Sequence, residues 1–225
     1  MIGGNALDTA AVVWAPVRVL RDAAEERRVL AGFVVTAVYA ASSLAASAVA
    51  VLGGVTRAQF DPRGVDLPPG AVDDLVAAAE IATLLFSVLA PFVWWLVVSL
   101  VMQLATRLFG GGGPLSATLA AVGVAEVPLA LGSLGQALAT GLQVVLGVGS
   151  DAGVIAGLLG GLLTLAAFVW HAVLVVIGAA LARRIGYGEA AGSCAVSCVG
   201  CLGLIILVAV VLVGIGILAG VTAPQ

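Results

Sequence analysis

Apolar residues fill five long stretches of the chain, at residues 30–52, 81–106, 115–135, 154–181 and 197–220. Each stretch has about 20 residues or more, the length that a helix needs to cross the hydrocarbon layer of a bilayer. A loop rich in Gly, Pro and Asp follows the first stretch, and the run "RLFGGGGPLS" follows the second. Glycines commonly end a helix, and Pro114 is well placed to begin the next one. The pattern predicts an all-α, polytopic membrane helical bundle with about five transmembrane helices.

Residues 1–29 have an amphipathic pattern instead. In "VVWAPVRVLRDAAEERRVL" one helix face is apolar and the opposite face is charged, and Pro16 lies near the start of the helix. The apolar face carries Trp14, Val17, Leu20 and Ala24, and the charged face carries Arg18, Asp22, Glu25 and Glu26. Such a helix is typical of the headgroup layer; the alternative is a solvated lead-in to the first span. The predicted domains are a cytoplasmic amphipathic lead-in, 1–29, and a five-span membrane domain, 30–225.

Two stretches carry proline at informative positions. The segment after Pro128, "LALGSLGQALATGLQVVLGVGSD", is too weakly polar for a loop and too rich in glycine for a clear span. It is interpreted as the outer end of the third span followed by an interfacial helix. In the second span, Pro91 predicts a kinked helix, and the neighbouring Trp94 and Trp95 are expected to pack against other helices rather than to anchor in the interface.

Composition and charge fix the class and an orientation. The chain is 62% hydrophobic and 9% charged, with a mean hydropathy of +1.24, which excludes a soluble domain. The net charge of −3 gives no footprint for nucleic acid. With five spans, seven of the nine arginines fall on one side of the membrane: Arg18, Arg21, Arg27, Arg28, Arg107, Arg183 and Arg184. The positive-inside rule then predicts a cytoplasmic N-terminus and a C-terminus outside.

All three cysteines lie in the run "GSCAVSCVGCLG", as Cys194, Cys198 and Cys201. The spacing C-x3-C-x2-C can hold an iron–sulfur cluster, but the soluble barrel that such enzymes use has no room in this chain. Palmitoylation of a juxtamembrane cysteine is a second interpretation, for a eukaryotic source. The same spacing places the three residues on one helix face, so a stripe of small packing residues is favoured.

Glycines repeat at every fourth position in two of the spans, at Gly153, Gly157 and Gly161 and again at Gly216 and Gly220. Such ladders allow close contact between helices. They indicate glycine-rich faces that contact the rest of the bundle, a second copy of the chain or another membrane protein, in addition to the lipid bilayer.

Glu126 and His171 are the strongly polar residues deep in the apolar spans, and they form a candidate intramembrane polar pair. Counted from Leu115, Glu126 lies ~16 Å along its span, and His171 lies ~18 Å before Arg183. A buried carboxylate is costly unless it is protonated or paired. Three alternatives stay open: each residue finds its own partner, the two pair directly, or they conduct protons or ions.

Motifs for catalysis are missing from the sequence. The chain has one histidine, no zinc-ligand spacing and no arrangement of nucleophile and base. The run "GGGG" at 110–113 lacks the Lys and Ser or Thr of a phosphate-binding loop. We therefore expect a protein that is not an enzyme, with no cofactor and no metal site.

The stretch "FGGGGPLSATLAAVGVAEVP", together with the "W-x-P" lead-in and the five-span pattern, resembles the Yip domain family of Ypt/Rab-interacting membrane proteins. The resemblance implies five spans and a cytoplasmic N-terminus. Eukaryotic members of that family engage small GTPases, and a small GTPase partner would follow here only for a eukaryotic source. The chain lacks the long N-terminal extension and the "DLYGP"-like stretch of those members, which favours a prokaryotic relative located in the cell membrane.

Two classes of function remain. The first is a non-catalytic integral membrane protein that organises the membrane or recruits partners. The alternative is a small transporter or channel that uses Glu126 and His171. Fold resemblance alone does not decide between them.

Overall fold

The computed structural model describes residues 11–59 and 70–197, and the regular structure of these residues is helical. The α-helices are α1 (Pro16–Glu25), α2 (Val29–Leu52), α3 (Val55–Gln59), α4 (Ala71–Ala105), α5 (Leu115–Val124), α6 (Val127–Leu146) and α7 (Asp151–Arg183). Residues 187–197 are also helical and form α8. Short 3₁₀ turns cover Ala11–Val13 and Thr106–Phe109.

Four segments of the described residues are long and apolar enough to cross a membrane: Val29–Leu52, Ala71–Phe109, Leu115–Leu146 and Asp151–Arg183. The prediction of an all-α membrane helical bundle is confirmed. The four segments correspond to the first four predicted spans, and the fifth predicted span, 197–220, lies outside the described residues.

The α5–α6 segment is the centre of the bundle. In its most apolar window 67% of the residues are buried inside the protein, against 22% in the window of α4. α6 packs between α2 and α7, α5 packs against α2, α4 and α7, and α4 lies beside α2 at the periphery. The outer faces of α4 and α7 therefore remain apolar and exposed, as surfaces that meet lipid or other membrane segments do.

Two helices extend beyond the bounds that hydropathy predicts. α4 begins at Ala71, ten residues before the predicted span, because Gly70 takes a left-handed conformation (φ 86°) and Asp73 and Asp74 occupy the first turn. Acidic residues in a first turn are favoured by the helix dipole. α6 continues to Leu146, so the predicted interfacial helix is part of the same helix.

The glycines of α6 serve packing instead of ending the helix. A Cβ added to Gly132 would lie 2.6 Å from the Cβ of Ala167 on α7, and one added to Gly135 would lie 3.4 Å from Leu163. Since bare backbone lets two helices approach closely, these glycines lengthen the contact between α6 and α7. Glycine content alone therefore predicted a break where the structure has a packed helix.

The predicted glycine ladder on α7 follows a different set of positions. A Cβ on Gly157 would meet the Gln143 side chain of α6 at 3.1 Å, and one on Gly160 would meet Ala139 at 2.8 Å. A Cβ on Gly161 would meet none of the other described residues within 4 Å. The close face towards α6 thus passes through Gly160. Contact of Gly161 with a second copy of the chain or another membrane protein stays a prediction. Gly216 and Gly220 lie outside the described residues.

α1 docks on the bundle with part of its apolar face. Pro16 is its first residue, and Leu20, Ala23 and Ala24 are buried where α1 packs against α5 and α7. Trp14 keeps 74% of its surface exposed. The predicted amphipathic helix is present, but its inner residues contact protein, because the small side chains of α5 and α7 leave a groove for them. Its placement in the headgroup layer stays a prediction.

Candidate functional site

The candidate site lies where the central segment is interrupted. α5 ends at Val124 and α6 begins at Val127, so Ala125 and Glu126 form a turn between two half-spans. Pro128, in the first turn of α6, has no N–H and cannot bond the carbonyl four residues earlier. A turn inside an apolar bundle leaves backbone groups that other elements have to satisfy.

Glu126 is fully buried at this turn, with 0% of its surface exposed. The Thr36 Oγ1 atom of α2 lies 2.6 Å from Glu126 Oε2 and 3.0 Å from the carbonyl oxygen of Gly32. One hydroxyl has one proton and can donate to only one of these oxygens. Both bonds form at once when a neutral Glu126 donates to Thr36 and Thr36 donates to Gly32. The geometry therefore fits a protonated carboxyl group.

The second oxygen of Glu126, Oε1, has no hydrogen-bond partner among the described residues. An unpaired oxygen of a neutral acid costs much less to bury than one that carries charge. The surroundings of Glu126 are thus those of a neutral group held by one helix.

His171 of α7 is also buried, with 2% of its surface exposed. Its Nδ1 atom lies 2.9 Å from the carbonyl oxygen of Ala125, and its Nε2 atom lies 3.5 Å from Trp94 Nε1 on α4. The indole N–H can only donate, so Nε2 accepts and Nδ1 carries the proton that it donates to Ala125. His171 is therefore a neutral imidazole that satisfies a carbonyl of the turn.

The structure brings Glu126 and His171 to the same turn but gives them different partners. His171 bonds the backbone of Ala125, and Glu126 contacts Thr36. Among residues 11–59 and 70–197, no hydrogen bond or ion pair joins the two side chains. Of the sequence alternatives, direct pairing is not what the geometry shows, because the break at Pro128 and a nearby hydroxyl supply each residue with its own partner.

The depth of this site differs from the sequence count. Gly123 packs against the backbone of Gly32, where an added Cβ would lie 2.5 Å from the Cα atom. The start of α2 therefore lies at the same level as the end of α5, whereas the sequence count started from Leu115, at the other end of α5. Counted from Val29, Thr36 lies ~10 Å along a helix that is ~36 Å long. Thr36 therefore lies about 8 Å short of the midpoint of α2, and the site is level with that part of the helix.

Trp94 and Trp95 both reach into the bundle. Trp94 approaches His171, and Trp95 donates from Nε1 to the carbonyl oxygen of Leu119 on α5 at 2.9 Å. Trp95 is buried, while Trp94 is partly exposed. The expectation that these tryptophans pack against neighbouring helices agrees with these contacts.

Sequence reasoning missed a second polar cluster, built on Arg183. This residue was expected only to mark the end of a span, yet 2% of its surface is exposed. Its guanidinium donates from Nε to Thr106 Oγ1 at 2.9 Å and from Nη2 to the carbonyl oxygen of Gly111 at 2.5 Å. The N–H of Gly112 donates back to the Arg183 carbonyl at 3.2 Å. Arg183 thus fastens the glycine turn to the end of α7.

The glycine run supplied a signal for this cluster. Gly110 has a left-handed φ of 81°, and a Cβ on Gly113 would overlap the carbonyl oxygen of Ala182. Gln103 completes the cluster, since it donates to the carbonyl oxygen of Gly113 at 3.3 Å and accepts from Thr118 at 2.8 Å. The glycines are needed for close approach of backbone to backbone.

Cys194, the cysteine that the structure describes, lies on α8 and is partly buried against the main apolar cluster of the protein. Cys198 and Cys201 lie outside the described residues. Within the described ranges no group of three His, Cys, Asp or Glu side chains is arranged to hold a metal ion. The role of the cysteines as packing residues stays a prediction.

These features define an integral membrane protein of apolar helices whose buried polar side chains connect one span to another. The family model of the Yip1 domain matches residues 10–219 of the chain. The chain belongs to the Yip1 domain family. No curated protein and no solved structure matches it significantly.

Proposed function

We propose that this protein has a non-catalytic role in the cell membrane, where it organises the bilayer or recruits partners. The observation that carries the proposal is how the buried polar side chains are used. Glu126 bonds a hydroxyl of α2, and His171 bonds the turn between α5 and α6. Groups that are engaged in fixing helices to one another are suited to holding a shape rather than to passing an ion.

The exposed face of α1 supports a recruiting role. Arg18, Arg21, Asp22 and Glu25 are all exposed on it, while Leu20 is fully buried beneath them. A helix held by its inner face presents a fixed pattern of both charge signs near the membrane surface. Such a pattern favours recognition of a partner with complementary charges.

Transport is the alternative that one observation favours. Glu126 Oε1 has no hydrogen-bond partner within residues 11–59 and 70–197, and a buried carboxyl group with an unbonded oxygen resembles a proton-binding site. The two functions differ in a measurable way, because a transporter moves its substrate when it is the only protein in the membrane.

Reconstitution into sealed vesicles with a pH-sensitive dye inside tests this difference. We expect the wild type and the Glu126→Gln variant to leak protons at the rate of protein-free vesicles. A flux that the wild type shows and the variant lacks would establish transport and contradict the proposal. In parallel, cross-linking in native membranes should capture one partner protein reproducibly with the wild type. Variants in which Arg21 and Glu25 are neutralised should no longer capture that partner.

The proposed orientation has the N-terminus and the end of α7 in the cytoplasm and the C-terminus outside. It rests on the arginine distribution, with Arg183 and Arg184 at the end of α7. A single-cysteine protein that retains Cys194 should react with a membrane-impermeant thiol reagent in inverted vesicles but not in intact cells. Labelling in intact cells would reverse the orientation.

A further inference from the structure

A cavity of about 310 Å³ opens between α1, the start of α2 and the end of α5. Its wall carries Arg18 and Asp22 from α1 and Arg28 from the turn before α2. Ala31 of α2 and Val124 of α5 form part of its apolar lining. The volume is at the lower end of the ~300–1,000 Å³ that ligand pockets have.

The charges in the wall have a definite pattern of two guanidinium groups and one carboxylate. Arg28 is held in place by Glu26, whose Oε2 atom accepts from Arg28 Nε at 2.6 Å. That hydrogen bond lowers the pKa of the Glu26 carboxyl group, so Glu26 stays ionised at neutral pH. Arg18 and Asp22 are one helical turn apart on α1, and both are exposed at the mouth of the cavity.

The level of the cavity matches the boundary between hydrocarbon and headgroups. Arg28 directly precedes α2, the shortest span, and Ala31 is the third residue of that span. Val124 is the last residue of α5, which packs against the start of α2 through Gly123 and Gly32. Charged groups therefore line the cavity where headgroups lie, and apolar groups line it where acyl chains begin.

We propose that this cavity binds a membrane lipid whose headgroup carries both a phosphate and a primary ammonium, as phosphatidylethanolamine does. The phosphate contacts Arg18 and Arg28, because guanidinium groups offer paired donors that match phosphate oxygens. The ammonium donates to Asp22, which explains a carboxylate beside two arginines. The proposal goes beyond the partner-recruiting role and holds for a chain that recruits no protein.

Native mass spectrometry of the full-length, detergent-solubilised protein tests the site, with titration of three lipids of equal chain length. Phosphatidylethanolamine should bind more tightly than phosphatidylglycerol, which has no cation, and phosphatidylcholine, whose quaternary ammonium has no N–H. Asp22→Asn should weaken binding of phosphatidylethanolamine about tenfold or more, the loss expected for a charge-assisted hydrogen bond, and leave phosphatidylglycerol binding unchanged.

Matched variants on the same helix control for charge. Arg18→Gln should weaken all three lipids, since each carries a phosphate, whereas Arg21→Gln and Glu25→Gln, which change exposed residues outside the cavity wall, should bind as the wild type does. Retained phosphatidylglycerol binding by Asp22→Asn shows that the variant is folded.

Three results would overturn the proposal. The first is equal binding of the three lipids by the wild type, and the second is an Asp22→Asn variant that keeps the preference. The third is displacement of the lipid by soluble phosphoethanolamine at equal concentration, which would assign the cavity to a soluble ligand.

Discussion

Alanine substitutions at Gly123 and Gly161 should have opposite effects on stability, although both residues are helical glycines in predicted spans. A Cβ on Gly123 would lie 2.5 Å from the Cα of Gly32, and its three nearest neighbours are all backbone atoms of that residue. Carbon atoms pack at about 3.5–4.0 Å, so α2 and α5 would have to separate by about 1 Å. No side-chain rotation can relieve such a contact.

The magnitudes follow from two opposing effects. Overpacking costs about 1–3 kcal/mol, and a clash between two backbones belongs at the upper end of that range. Replacing Gly by Ala in a helix contributes about 1 kcal/mol in the other direction. We therefore expect Gly123→Ala to lower the free energy of unfolding by about 2 kcal/mol. The Cβ added by Gly161→Ala meets no atom within 4 Å in the part of the chain that the structure describes, so this change should be neutral or stabilise by up to about 1 kcal/mol.

Unfolding in mixed micelles with increasing SDS, followed by circular dichroism, measures both variants. Gly160→Ala serves as an intermediate case, because its added Cβ would meet the Gln136 side chain, which can move, and the Cβ of Ala139, which cannot. A Gly123→Ala protein as stable as the wild type would refute the close α2–α5 contact. Equal changes in the free energy of unfolding for Gly123→Ala and Gly161→Ala would show that the contact with Gly32 does not decide the effect.

Two further predictions concern the clusters that hold the termini of the helices. Arg183→Lys keeps the charge but loses the paired donors to Thr106 and Gly111, so it should lower the free energy of unfolding by about 1.5–3 kcal/mol. Arg184 is exposed, so Arg184→Lys should change the free energy of unfolding by less than about 0.5 kcal/mol. Equal effects of the two changes would argue against the Arg183 cluster. Leu20→Ser should release α1 from the bundle and speed proteolysis near Arg21 several-fold, because Leu20 is the largest fully buried side chain of α1. Val17→Ser, at a partly exposed position, should not. Unchanged proteolysis of Leu20→Ser would contradict the docking of α1.

Hydropathy predicts the spans well because a bilayer demands about 20 apolar residues in each. The same reasoning located Glu126 and His171, since ionisable residues are rare in apolar stretches. The start of α4 was harder, because Asp73 and Asp74 look like loop residues until Gly70 and the helix dipole are considered.

Contacts between helices could not be predicted, since they depend on the register of one helix against another. Thr36 is a common, weakly polar residue in spans, and nothing in the sequence links it to Glu126, 90 residues away. Arg183 fits the positive-inside rule so well that its burial was not expected. The choice of Gly160 over Gly161 depends on a rotation of α7 that one sequence does not fix.

We infer that the buried polar residues brace the helices, with Glu126 bonded to α2 through Thr36. A double-mutant cycle of Thr36→Val and Glu126→Leu, measured by SDS unfolding, tests it most directly. Thr36→Val leaves the Glu126 carboxyl group buried without its partner, and Glu126→Leu leaves Thr36 with only its bond to Gly32, whereas the double change removes both polar groups. We predict that the loss in the free energy of unfolding of the double variant is smaller than the sum of the two single losses by about 1 kcal/mol or more. In a parallel cycle of Glu126→Leu with His171→Gln, the losses should be additive within about 0.5 kcal/mol. Additive losses for Thr36 and Glu126, or strong coupling of Glu126 to His171, would contradict the account.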